Sequence, residues 1–307
     1  MGSSVSLVKV ESQSNGVVSA VSKALDLIDF KFPAKVKSVI IKPNLCYYWN
    51  SSTGQTTDPQ IVAAIIDCLR EKCGNDLDIK IAEADASAMR TKYAFPVLGY
   101  TKLAEEKNVK LLNLSEDDLV ETKINVNDND LTFKLPQALL KSDLFINVPK
   151  LKIMKTVMIT CAMKNIFGAN GLPRKVKYHK VLNEAIVGIN KLLPSHLTIV
   201  DGLVALGRQP IRLNLLMAGT DNFSVDWVAS QVMGYNPRKI DFLKMAIKEG
   251  AGSPDGIKVI GEDLSKFSKI FPKAGGNSSQ YAWKLQLSML KIYQKLSGDI
   301  IPPMLEE

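Results

Sequence analysis

Apolar residues along this chain alternate between two spacings, and the switches lay out a series of strands and helices. Ser6–Glu11 reads as an extended run, and Val17–Ile28 carries apolar residues at helical spacing. Val36–Ile41 is a β-branched strand that runs into Lys42-Pro43-Asn44-Leu45, followed by a polar loop over Asn50–Thr57. The next helix has start and stop signals. Asp58 stands as N-cap, Pro59 takes the first helical position, and Ile61–Cys73 ends at Gly74. Strand Leu77–Ala82, helix Leu98–Lys107 and strand Val109–Leu114 continue the alternation.

Glu121–Val126 and Leu131–Leu135, joined by Asn127-Asp128-Asn129-Asp130, predict a β-hairpin. Asp143–Val148 predicts a core strand, Thr156–Phe167 a helix closed by Gly168, and His179–Leu192 a helix ending before Pro194. Leu197–Val200 leads into Asp201-Gly202, and Leu215–Ala218 leads into Gly219-Thr220-Asp221, as two further strand ends. Helices over Val225–Met233 and Arg238–Lys248 precede a late strand at Ile257–Ile260. This order predicts a doubly wound α/β fold: a mainly parallel sheet, helices on both faces, and the hairpin as a small excursion. The α/β domain is assigned to residues 1–262 and a C-terminal helical extension to 263–307. Within that extension Tyr281–Leu296 is amphipathic and reads as packing on its own domain rather than on a membrane or partner.

Composition changes the picture mainly through where charge falls. With 46% hydrophobic and 23% charged residues the chain can bury an ordinary core, and no apolar run approaches a membrane span. No secretory signal is recognisable, and the four scattered cysteines, Cys46, Cys68, Cys73 and Cys161, predict reduced thiols in a cytoplasmic protein. They form no ferredoxin-type cluster, so no iron–sulfur centre is expected. Net charge is +8. Between Asp143 and Glu184 there is no acidic residue, while Lys150, Lys152, Lys155, Lys164, Arg174, Lys175, Lys177 and Lys180 lie in that gap. Removing those eight from the 39 basic residues leaves 31, which balances the 31 acidic ones. The whole excess therefore sits in one segment, which attracts anions.

In parallel α/β sheets ligands bind beyond the carboxyl ends of the strands. The residues predicted there are Lys42 and Asn44, Glu83 and Asp85, Lys150 and Lys152, Asp201, and Thr220 with Asp221. Lys155-Thr156 is read as opening a helix, where free amides favour an anion. Lys164 and Asn165 sit among Met163, Ile166 and Phe167, an apolar setting in which a charge needs a reason. These observations predict an anionic small molecule, phosphorylated or carboxylated, held by Lys42, Lys150, Lys152, Lys155, Lys164 and Arg174 and oriented by Asn44 and Asn165. His179 and Glu83 are the proton-transfer candidates. Asp201, Asp221 and Asp226 are candidate magnesium ligands, although Asp221 reads as readily as a helix cap and His196 as structural. A nucleic-acid partner is not expected, because no reader motif accompanies the charge. The alternative reading is a non-catalytic partner of an acidic redox or iron–sulfur protein, docked through Lys175 and Lys177 as surface lysines.

The motifs also resemble a family. Ile41-Lys42-Pro43-Asn44-Leu45, Thr57-Asp58-Pro59, Glu83, Asn147-Val148-Pro149-Lys150-Leu151-Lys152 and Met163-Lys164-Asn165-Ile166-Phe167-Gly168 match the domain of unknown function 362 family in order. The series continues with Arg174, His179, Val200-Asp201-Gly202 and Ala218-Gly219-Thr220-Asp221 leading to Asp226. The resemblance implies a fold and a site more than an activity. Longer relatives often carry ferredoxin-like cysteine clusters, which this chain lacks, and a His after the second Lys of Pro-Lys-x-Lys, where this chain has Ile153-Met154-Lys155-Thr156. The fold is also distantly similar to that of the lactate racemases that use a nickel-pincer nucleotide. Such a racemase needs two opposed imidazoles and a further metal ligand, and two histidines in all do not fill those roles. Racemization is not expected.

Overall fold

Ten of the twelve strands gather into one sheet, and the other two pair as a separate hairpin, in a computed structural model, which describes residues 2–12, 15–154 and 156–272. In chain order the strands are β1 (Ser4–Lys9), β2 (Ser38–Pro43), β3 (Asp78–Glu83), β4 (Lys110–Asn113), β5 (Leu119–Val126), β6 (Asn129–Pro136), β7 (Leu144–Val148), β8 (Lys150–Met154), β9 (Met158–Thr160), β10 (Leu197–Leu206), β11 (Pro210–Gly219) and β12 (Lys258–Gly261). The helices are α1 (Gly16–Leu27), α2 (Pro59–Cys73), α3 (Thr91–Val97), α4 (Tyr100–Glu106), α5 (Gln137–Lys141), α6 (Ala162–Gly168), α7 (Leu182–Leu192), α8 (Asn222–Val232), α9 (Asp241–Lys248) and α10 (Ser265–Ser268). The predicted amphipathic segment Tyr281–Leu296 lies outside the described residues.

The sheet order is β12-β1-β11-β10-β7-β2-β3-β4, with β8 joined to the far part of β10 and β9 paired to β8. β4, β3, β2, β7 and β10 run parallel. Both faces are covered, which is why β7 is buried at every position and β2 at all but its first. Ile41, Ile61, Ile65, Leu69, Tyr100 and Ile146 pack on one side. Phe145, Ile166, Phe167, Phe223 and Phe242 pack on the other, where the β5–β6 hairpin also docks through Phe133 and Leu131.

Several sequence expectations change here. Gly207-Arg208-Gln209 is a tight connection, so β10 and β11 form an antiparallel hairpin, and β11 opposes both its neighbours. The β5–β6 turn is shorter than expected, with Asn127 and Asp128 alone at positive φ, a conformation their short polar side chains tolerate. The helix predicted from Thr156 starts only at Ala162. Before it, Val157, Ile159 and Thr160 favour extended backbone, and the chain turns back at Met158 to pair β9 with β8. The helix predicted over 98–107 forms as α4, entered through Gly99, whose φ is +82°, and an unpredicted short helix, α3, precedes it. The α2 signals read as expected, with Asp58 accepting from the Gln60 amide.

Candidate functional site

β2 and β3 deliver Lys42 and Glu83 side by side at their carboxyl ends. Lys42 Nζ lies 2.7 Å from Glu83 Oε1, with both side chains buried, and also donates to Asn165 Oδ1 at 3.1 Å. Glu83 accepts in turn from the Leu45 and Ala84 amides. Burial pushes the Lys42 ammonium down from its usual range, against the pull of Glu83. Asn165 donates to Asn147 Oδ1 at 2.8 Å, and Asn147 donates to Ala162 O and Asn222 Oδ1. This amide chain holds α6 against the sheet, so the apolar setting of Lys164-Asn165 reflects a helix lodged over buried polar groups.

Gly168 is what lets α6 come this close. A Cβ there would lie 3.2 Å from Lys42 Nζ and 3.9 Å from Glu83 Oε1. Lys42 is pinned between Glu83, Asn165 and the Pro43 carbonyl and has no room to retreat. Gly168→Ala is expected to lower stability by about 1 kcal/mol or more. An unchanged denaturation midpoint would show that the pair yields.

A second buried pair sits one strand over. β7 ends at Val148, and after Pro149 the chain resumes as β8 beside β10, with Lys150 in register with Asp201. Lys150 Nζ is 2.7 Å from Asp201 Oδ2, with neither side chain exposed. Asp201 also accepts from the Asp58 amide at 2.7 Å and the Leu203 amide at 3.0 Å. It is thus a mid-strand anchor rather than a strand end, because β10 runs on to Leu206 across a bulge. Burial raises its pKa against the opposing pull of Lys150.

Around the first pair lie three more lysines. Lys152 is buried and donates to Gln55 O at 2.7 Å; burial lowers its pKa, against the opposing pull of Cys46. Lys164 is half-buried with its ammonium 4.6 Å from the centre of the Phe167 ring. Desolvation, assisted by Lys152 and Lys42, pulls it down to about 8. Lys175 is buried, donates to Asp85 O at 2.6 Å, and is pulled down to about 7, chiefly by desolvation. Four lysines therefore surround Glu83, and the other nearby carboxylate, Asp85, is tied to Arg90 and to the Thr91 amide and hydroxyl. Carbonyl acceptors satisfy hydrogen bonds and leave the charge uncompensated.

The predicted residues thus separate. Lys42, Lys152, Lys164, Glu83 and Asn165 come together, while Lys150 is spent on Asp201. Asn44 is half-buried beside them, its backbone exchanging hydrogen bonds with Thr57. Lys155 lies outside the described residues, and the helix start that recommended it is absent. Arg174 and His179 are exposed on a 3-10 turn, with no hydrogen bond or ion pair to Glu83 among the described residues. His196 is structural, accepting from the Phe145 amide.

The three aspartates do not assemble. Because β11 is antiparallel, Gly219 pairs with Thr198 at the amino end of β10, and Asp221 beyond it lies at the end of the sheet away from Asp201. Asp221 caps α8, accepting from the Phe223 and Ser224 amides. Asp226 is fully buried and accepts from the Ala162 and Met163 amides, closing the start of α6. Among the described residues no group of three His, Cys, Asp or Glu side chains is placed to hold a metal. Lys175 is the main residue that sequence reasoning misplaced: a polar loop gave no hint that its amine turns inward. Cys46 was missed too, although it directly follows the Lys42-Pro43-Asn44-Leu45 run. A separate groove of about 270 Å³, lined by Ser38, Asp78, Lys80 and Lys141 among others, opens at the amino ends of β2 and β3 and shares no residue with the cluster.

Fold and site together define a doubly wound α/β protein with two buried lysine–carboxylate pairs, one at the carboxyl ends of β2 and β3 and one between β8 and the middle of β10. The chain belongs to the family described as Domain of unknown function (DUF362), whose pattern matches residues 39–231. It is 26% identical over 235 residues to a thylakoid-associated protein of Synechocystis sp., covering 70% of this chain and 68% of that one. Among solved structures it matches the lactate racemase apoprotein of Thermoanaerobacterium thermosaccharolyticum at 13% identity and a TM-score of 0.39. That match covers 71% of this chain and 54% of the racemase, so the chain spans about half the length of that structure. No described helix is long and apolar enough to cross a membrane.

Proposed function

We propose that the protein works in the cytoplasm and binds a small phosphorylated or carboxylated molecule at Lys152, Lys164 and Lys175. The observation that carries this reading is the excess of buried positive charge. Lys42 has Glu83 as counter-ion, but Lys152 and Lys175 donate to carbonyls and Lys164 meets an aromatic ring. A bound anion would supply the missing counter-charge and hold the ammonium forms. Lys42 and Lys150 then act as framework charges, and Asn165 positions the first of them. An amine near neutrality beside Glu83 also offers a proton acceptor, which makes Lys175 a better candidate for proton transfer than the exposed His179. An acidic redox or iron–sulfur protein would meet Arg174, Lys177 and Lys180 at the surface, yet would not reach Lys175, and the small anion is preferred for that reason.

Thermal-shift measurements with inorganic phosphate, a sugar phosphate and a dicarboxylate test this. At least one should stabilise the wild type, and Lys164→Met should abolish that response. The same substitution should raise the melting temperature of the unliganded protein, since it deletes an unpaired charge from a mostly apolar setting. A folded Lys164→Met protein with an unchanged anion response would overturn the assignment. Binding should also weaken as pH rises through 7 to 8, where Lys175 and then Lys164 lose the protons the anion needs. Affinity that rises over this window would place the anion elsewhere.

A further inference from the structure

We propose that the carboxyl end of the sheet docks on an anionic lipid membrane, with the mouth of the lysine cluster facing the headgroups. This inference goes beyond the small-anion site and does not depend on it. Large apolar side chains stand exposed on each of the loops that surround the cluster. Tyr47 and Trp49 follow Cys46 on the loop after β2, exposed by 44% and 50%. Met154 and Met158, 42% and 39% exposed, are the last pair of the β8–β9 hairpin before its turn. Tyr93 stands on α3, and Val176, 53% exposed, is next to Lys175.

Hydrogen bonds draw these loops into one rim. Lys152 on β8 reaches Gln55 O, the Arg90 amide donates to Tyr48 Oη, and Ser87 Oγ donates to Pro173 O. Lys175 crosses to Asp85 O, whose carboxylate holds the start of α3 through Thr91. Each exposed apolar residue is therefore within a few positions of a group that closes the site.

Charge identifies the partner. Residues 46–57, 86–97 and 144–183 contain no Asp or Glu. Exposed Lys92, Arg174, Lys177 and Lys180 stand on the same loops as the apolar tips. Exposed tyrosine and tryptophan, aliphatic tips and basic side chains together match the layering of a bilayer interface. Amphipathic rings sit among headgroups, short apolar chains reach the acyl boundary, and cations meet anionic lipid. A single-stranded nucleic acid would use the aromatic and basic members alone. Met154, Met158 and Val176 offer no flat face for stacking a base, and they favour lipid.

Co-sedimentation of the full chain with vesicles tests the proposal. Binding is expected to phosphatidylcholine vesicles containing phosphatidylglycerol, to weaken with salt, and to be slight on phosphatidylcholine alone. The triple variant Trp49→Ser, Met154→Ser, Val176→Ser changes only exposed positions and should keep the wild-type melting temperature. It should lose about tenfold or more in vesicle affinity. Lys164→Met should keep vesicle binding, which separates this surface from the small-anion site. The proposal is overturned by absent binding, by equal binding to neutral vesicles, or by an unaffected triple variant, which would assign the contact elsewhere on the chain. Loss in Lys164→Met alone would move the contact into the buried site and overturn it as well. Single-stranded RNA binding that the triple variant abolishes, without vesicle binding, would give the rim to nucleic acid instead.

Discussion

Asp201→Ala is expected to destabilise the protein by about 3–5 kcal/mol, the cost of leaving a buried charge without its partner. The substitution strands the Lys150 ammonium, which has no exposure, and removes the acceptor for the Asp58 and Leu203 amides. Asp58 is the N-cap of α2, so the loss spreads from the sheet into a helix that packs on its face. Lys150→Met should cost less, because Asp201 keeps its two amide donors and, with a pKa already raised by burial, can take up a proton. The double variant Lys150→Met, Asp201→Leu removes both charges and should recover much of the loss. Urea denaturation followed by circular dichroism reads all three. An Asp201→Ala protein within about 1 kcal/mol of wild type would mean that the pair carries no net weight.

Stability near neutrality should pass through a shallow minimum set by buried groups whose titrations pull in opposite directions. Asp226 has a folded pKa of about 7, raised above that of the unfolded chain chiefly by desolvation. Between the unfolded carboxylate range and 7 the folded state binds the extra proton, so this contribution is lost as pH rises towards 7. Lys175 at about 7 and Lys164 at about 8 lie below their unfolded value of 10.5. From their folded values up to 10.5 the unfolded state binds more protons, so stability rises with pH. Each fully buried group supplies a slope of at most about 1.4 kcal/mol per pH unit within its window, and Lys164, with part of its side chain in solvent, supplies less. Melting temperature recorded between pH 5 and 10 reads the curve. Lys175→Met should flatten the alkaline limb and Asp226→Asn the acid limb. An alkaline limb that survives loss of both Lys164 and Lys175 would refute the assignment. A saturating anion should fill in the minimum, because it favours the charged lysines.

The fold was legible where local signals agreed with one another. Asp58, Pro59 and Gly74 bracket α2 by capping chemistry that needs no tertiary partner. The apolar runs of β2 and β7 are long enough to require cover on both faces. The same reasoning failed at residues 156–161, where a helical spacing competed with β-branched residues and the pairing with β8 decided the outcome. It failed again at β11, since strand direction follows from the length of the β10–β11 connection, and the apolar run reads identically either way. One reversed strand then moved Asp221 to the far end of the sheet and dissolved the predicted aspartate cluster.

Charge followed the same division. The gap in acidic residues between Asp143 and Glu184 is a property of the sequence, and three of the four lysines near Glu83 come from it. Which of its lysines meet a carboxylate and which do not is not. Lys150 and Lys175 look alike in sequence, each a lysine close after a proline. In the fold, one faces Asp201 across adjacent strands while the other turns inward to a carbonyl. Sequence by itself determined the alternation of elements, the caps of α2 and the location of the excess positive charge, because each depends on residues near one another in the chain. Only the tertiary structure decided which charges are paired, since a counter-ion such as Glu83 or Asp201 lies tens of residues away and is selected by strand order and register.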